Sequence, residues 1–112
     1  MLGESALRGV VNRAYYAMFY ALLALLATRQ LGTSKHSGAL ALFDREFVKK
    51  GVFSRELSRS LHLAFDRRQE HDYGEMAPVS GPIAEETLRD AKAFVAAIEA
   101  YLRSTGHLIT AE

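Results

Sequence analysis

Apolar residues recur along this chain at spacings of three and four, in four blocks separated by glycine and proline. The first block runs from about Glu4 to Leu31, and Gly32 is the expected break. A second helix is predicted to start near Ser34 or Ser37, with Leu40, Phe43 and Phe47 on one stripe. Lys49-Lys50 would fall in its last turn and Gly51 would end it. Ser54 suits the N-cap of a third helix, whose apolar face is Leu57, Leu61, Ala64 and Phe65. That helix continues through residues 67–73 and ends near Gly74. Residues 77–82, Ala-Pro-Val-Ser-Gly-Pro, read as a loop. Pro82 fits a first helical position, and Glu85 and Glu86 suit the first turn of a fourth helix. Ala84, Leu88, Ala91, Val95, Ile98 and Leu102 then form its expected seam. Gly106 closes it, leaving residues 105–112 as a frayed tail. No stretch alternates with period two. The expected architecture is all-α: an up-and-down antiparallel bundle of four main helices, forming one domain over residues 1–112.

The first block changes this picture. Ala14 to Ala27 carries no charged side chain, and Arg13 and Arg29 bracket fifteen uncharged positions. A membrane-spanning helix wants about 20 apolar residues, whereas shorter runs are usually buried core. Tyr15, Tyr16 and Tyr20 would also need hydrogen-bond partners in lipid. A membrane role is therefore not expected. A helix apolar on all sides must be covered on all sides, and three short partner helices can hardly do that. Homodimerisation through this helix is the expected remedy.

Composition narrows the functional classes. Hydrophobic residues make up 49% and charged residues 24%, as in ordinary soluble domains. A net charge of +1 means that any attraction to nucleic acid must come from a local basic surface. The absence of cysteine excludes disulfides, thiolate metal sites and thiol nucleophiles. Met1-Leu2-Gly3-Glu4-Ser5 has no basic region leading into an apolar one, so a cytoplasmic location is expected. His36, His62, His71 and His107 have no local metal-binding spacing; no metal or cofactor is expected.

The densest chemistry lies in Arg67-Arg68-Gln69-Glu70-His71-Asp72-Tyr73. On a helix, residues three and four apart share a face, which would put Arg67 and Arg68 beside His71, and Arg68 beside Asp72. A guanidinium next to a group that titrates near neutral pH is suited to phosphodiester chemistry. The same residues could equally be a solvated helix end held by weak ion pairs. Lys35 and His36 precede a helix, where an anion could be held. His62 reads as a boundary residue. Tyr15, Tyr16, Phe19 and Tyr20 could stack on bases, but at helical spacing they read as core or dimer surface. Arg13, a charge opening so apolar a helix, should either meet an acidic partner or face a cleft.

Asn12-Arg13-Ala14-Tyr15-Tyr16-Ala17-Met18-Phe19, Lys35-His36-Ser37-Gly38, Phe47-Val48-Lys49-Lys50-Gly51 and Arg68 followed by Asp72-Tyr73 together resemble the HEPN domain, "higher eukaryotes and prokaryotes nucleotide-binding". The likeness runs from about residue 8 to 103 and is greatest to a small prokaryotic branch. It implies an all-α, usually dimeric bundle, often encoded beside a minimal nucleotidyltransferase in pairs that look like toxin and antitoxin. Active members are metal-independent ribonucleases with four to six residues between an arginine and a histidine. Here Arg67 leaves three residues before His71 and Arg68 leaves two. Arg68, Asp72 and Tyr73 instead satisfy the branch's pattern of arginine, three residues, then Asp-Tyr. In toxin members with a His-x-Tyr sequence, which His71-Asp72-Tyr73 resembles, the tyrosine can receive a nucleotide from the partner; Tyr73 is the modification candidate. Relatives usually carry another helix ahead of the Arg-Ala-Tyr-Tyr helix, with which this chain almost begins.

Three function classes follow. The favoured one is a nucleotide- or protein-binding partner of a minimal nucleotidyltransferase in a toxin–antitoxin-like pair. The second is a metal-independent ribonuclease toxin, in which His71 moves the proton and Arg67 or Arg68 holds the phosphate. The third is a non-catalytic helical dimer in which Arg13, Lys35, His36, Asp72 and Tyr73 serve only binding or structure.

Overall fold

A computed structural model describes the backbone of residues 3–33, 35–72 and 80–107, with side chains except those of Glu4 and residues 69–72. Among these residues the chain forms α1 (Glu4–Ala27), α2 (His36–Phe43), α3 (Arg55–Asp72) and α4 (Gly81–Ser104), with no strand. The all-α helical bundle expected from the hydrophobic pattern is present.

Local chemistry explains most of the boundaries. Ser54 caps α3 by accepting from the Leu57 amide at 3.1 Å, and Ser80 caps α4 by accepting from Ile83 at 3.2 Å. Each such cap contributes about 1 kcal/mol. Gly106 closes α4 with φ 80°, and the His107 amide returns to the Leu102 carbonyl at 2.8 Å. Two ends differ from expectation. α1 breaks before Gly32: Gln30 takes the left-handed conformation at φ 57°, and the Leu31 amide bonds to Leu26 at 2.9 Å. The α2 helix does not run unchanged to Gly51 but widens into a π turn over Asp44–Val48, where the Lys49 amide reaches Asp44 at 2.8 Å. Gly51, at φ 82°, then ends it as expected.

Contacts between the helices fix their directions. Val11 packs with Ala84 near the starts of α1 and α4, while Arg29 donates to the Tyr101 hydroxyl at 3.2 Å near their ends. These two helices therefore run the same way. α2 starts beside Phe19, where the His36 ring stacks at 4.0 Å, and its π turn finishes beside Arg29, which lies 4.2 Å from the Phe47 ring centre. The connection after α1 thus doubles back, so the up-and-down order expected of all four helices holds only from α2 onward. From α2 onward the chain alternates: α3 is antiparallel to α2 and to α4.

The core is aromatic at one end. Phe43 and Phe47 are wholly buried, and Phe53 and Phe94 pack their rings around Phe43 at 5.5 Å. α1 buries Val11, Ala14, Tyr15, Met18, Phe19, Leu22, Leu25 and Leu26. Its opposite side stays in solvent at Ala17, Tyr20 and Ala24, with Tyr20 64% exposed. By length and composition it could cross a bilayer, but as a core helix it passes that test equally well.

The α4 seam is rotated from the expected one. Ala84, Thr87, Ala91, Phe94, Ile98 and Leu102 are buried, whereas Leu88 is 40% exposed and Val95 is half-buried. Leu88 and Val95 lie one step round the helix, facing the exposed side of α1. With Val10, Ala14 and Ala17 they line an apolar groove of about 470 Å³, edged by Arg13, Lys92 and Glu99.

Candidate functional site

The paired arginines of α3 part company. About 100° separates consecutive residues on a helix, so Arg67 and Arg68 serve different faces. Arg67 turns to α4, donating to Thr87 Oγ1 at 2.8 Å and to Glu86 Oε2 at 2.7 Å. Thr87 is buried and passes its own proton to the Ile83 carbonyl at 2.8 Å, which completes its hydrogen bonding. Arg67 is therefore a brace between α3 and α4.

Arg68 turns to α1 and α2. Its Nη2 donates to the Tyr16 hydroxyl at 2.7 Å, and its guanidinium lies 5.2 Å from the Tyr16 ring centre and 5.8 Å from that of Tyr15. This aromatic seat holds a cation through the ring quadrupole as well as the hydrogen bond. Because α2 and α3 are antiparallel, the start of α2 comes alongside the end of α3. Lys35, His36, Ser37, Phe65 and Arg68 consequently line one open cleft of about 460 Å³.

His36 is tied into the core from below. Its Nδ1 lies 2.8 Å from the hydroxyl of fully buried Tyr15, and its ring stacks on Phe19. A phenol is a stronger acid than a neutral imidazole N–H, so Tyr15 donates and His36 Nδ1 accepts. The imidazole proton then sits on Nε2. Burial, and secondarily the Arg68 charge, lowers the His36 pKa from its ordinary value and keeps the ring neutral at pH 7. Burial also pushes the Tyr15 phenol well above the usual tyrosine range, Arg68 opposing and Tyr16 adding to the shift.

These shifts predict a pH profile. Above the ordinary tyrosine pKa the unfolded chain releases a proton that native Tyr15 keeps. Stability should then fall with rising pH, at up to about 1.4 kcal/mol per unit. Below the ordinary histidine pKa the unfolded chain binds a proton that native His36 refuses, so stability should fall on acidification as well. Urea melts between pH 5 and 11 would check both limbs. Tyr15→Phe should flatten the alkaline one.

The cluster expected from local spacing is only partly described. The backbones of His71 and Asp72 belong to α3, but their side chains, and the whole of Tyr73, lie outside the described residues. Arg13 does not reach the cleft; it edges the α1–α4 groove on another side. Arg68, Lys35 and His36 do come together. Sequence reasoning missed Asp44, which accepts from Ser58 Oγ with one oxygen and lies 2.7 Å from His62 Nε2 with the other. This pair ties the π turn to α3, and its one local trace is the i, i+4 spacing of Ser58 and His62. Among the described residues, no group of three or more histidine or carboxylate side chains converges as metal ligands would.

The family model described as "HEPN domain" matches residues 1–101, and the chain belongs to that family. It is 42% identical over 99 residues to a "UPF0332 protein" of Thermotoga maritima, covering 88% of this chain and 75% of that one. Two proteins of Methanocaldococcus jannaschii, each named "Putative toxin", are 36% and 33% identical over 94 and 96 residues. Those matches cover 84% and 86% of this chain, and 64% and 71% of the relatives. No solved structure matches the chain.

Proposed function

We propose that this protein is the HEPN half of a toxin–antitoxin-like pair, that it works as a homodimer, and that the cleft between α2 and α3 binds a nucleotide or RNA phosphate. Its protein partner in this reading is a minimal nucleotidyltransferase. The observation that carries the reading is the union of Arg68, His36 and Lys35 in one cleft. A guanidinium, an ammonium and a neutral imidazole with its proton on Nε2 are all donors, and none offers an acceptor. Such a set recognises an oxyanion. Names of relatives that include the word toxin support the setting. Dimerisation is supported by the apolar α1–α4 groove, whose rim carries both signs of charge. Arg13 and Glu99 could pair reciprocally across a two-fold axis.

At His36 the same tautomer favours phosphate binding, since a protonated Nε2 can donate to phosphate but cannot act as the base that activates a ribose hydroxyl; the ribonuclease reading rests on His71 instead. The test is nucleotide binding by calorimetry with ATP, alongside co-expression with a minimal nucleotidyltransferase. Arg68→Ala should weaken ATP binding at least tenfold, the loss expected of a charge-assisted pair. Unchanged affinity would remove the cleft from consideration. Metal-free cleavage of RNA that depends on His71 would replace binding by the ribonuclease reading.

A further inference from the structure

The opposite end of α2 carries a second basic depression. It has a volume of about 550 Å³ and is lined by Ala41, Asp44, Arg45, Val48, Lys49 and Arg55. Three of these side chains are cationic. The sole acid in the lining, Asp44, already gives its oxygens to Ser58 and His62. Arg45 places Nε on Glu46 at 2.9 Å, and Glu46 also receives Lys50 at 3.0 Å. Lys49 and Arg55 are exposed.

The two basic sites share a face. Ser37 lines the first site, and Ala41, Asp44 and Val48 line the second; these residues follow one another along α2 at helical spacing. α3 runs antiparallel beside them, with Arg68 at one end, half-exposed His62 in the middle and Arg55 at the other end. At 1.5 Å per residue the centres of the two linings, near residues 36 and 45, lie about 14 Å apart along α2. That is a span a few nucleotides of an extended strand can cover.

We infer that the Arg45–Lys49–Arg55 depression is a second phosphate-binding site, and that the α2–α3 face carries the backbone of a single-stranded RNA from this site to the Lys35–His36–Arg68 cleft. The second site stands on its own lining. Only the continuity of the track rests on the phosphate reading of the cleft. Three cations against the one carboxylate of Asp44, with Glu46 drawn to Arg45 and Lys50 beside them, leave the lining positive and suit phosphate oxygens better than a hydrophobic or cationic partner.

The experiment titrates a labelled 12-nucleotide oligouridylate and, separately, ATP, against wild-type protein and two variants. The first variant is Lys49→Glu with Arg55→Glu, both at exposed positions and verified by thermal melt. The second is Arg68→Ala. Each phosphate contact on a single strand contributes about 0.7 to the slope of log affinity against log salt. The double variant should bind the oligonucleotide at least tenfold more weakly, with the slope reduced by about 1.4. Its affinity for ATP should stay at the wild-type value. Loss of oligonucleotide binding in this variant, with Arg68→Ala unaffected towards ATP, would uphold the second site and discard the cleft reading. Wild-type protein that ignores the oligonucleotide, or a double variant that binds it as well as wild type, would overturn the inference. So would polyglutamate binding at the same site with equal affinity, which would assign this face to an acidic protein segment.

Discussion

Phe43→Ala is expected to destabilise the fold by about 4 kcal/mol, the cost of deleting a fully buried phenyl ring and leaving a cavity behind. Phe43 has no exposed surface and its ring centre lies 5.5 Å from those of Phe53 and Phe94 and 6.2 Å from that of Phe47. Those rings belong to the π turn, the segment before α3, and α4, so no single helix can shift to fill the void. For a domain of this size the loss is a large part of total stability. Chemical denaturation should show a midpoint far below wild type, or a chain unfolded without denaturant. A change under 1 kcal/mol would mean that the aromatic cluster is not the keystone of the core.

Leu88→Glu is expected to abolish the proposed dimer while leaving the monomer intact. Leu88 is 40% exposed in the single chain, so the change costs the isolated fold little. In an isologous interface every substitution appears twice, and two carboxylates would be buried against the apolar floor of the α1–α4 groove. Desolvating them should raise the dissociation constant at least a hundredfold. Sedimentation equilibrium across a concentration series is the measurement. Wild-type protein that sediments as a monomer throughout, or a variant that still dimerises, would move the interface elsewhere or remove it.

Local signals were sufficient for the helices. Ser54, Gly51 and Gly106 mark ends by backbone chemistry that needs no neighbour, and the structure uses each as expected; the Ser80 cap was hidden in a stretch read only as loop. Gln30 gave no such signal, because a left-handed glutamine is imposed by the chain's need to turn back rather than by its own preference. The α4 seam was misplaced for a different reason. Leu88 and Val95 continue the apolar spacing as well as Thr87 and Phe94 do, and only the position of α1 and the aromatic cluster decides between the stripes. The cleft was half legible. Its members appeared in the sequence as separate motifs, but local spacing pointed Arg68 along its own helix. The partner it shares a cleft with, His36, lies on another helix and comes into place through the antiparallel pairing of α2 and α3. Asp44 and His62 are eighteen residues apart and could not have been paired from periodicity.

The divergence of Arg67 and Arg68 has a mechanical corollary. Two neighbouring guanidiniums are anchored at both sides of one helix, the first to Glu86 and Thr87, the second to Tyr16. Any rotation of the rod that bears them would load both anchors at once. A ligand that turned α3 through the second anchor would therefore strain the first, and the amide-exchange rates of the facing turn of α4 would register occupancy at a distance.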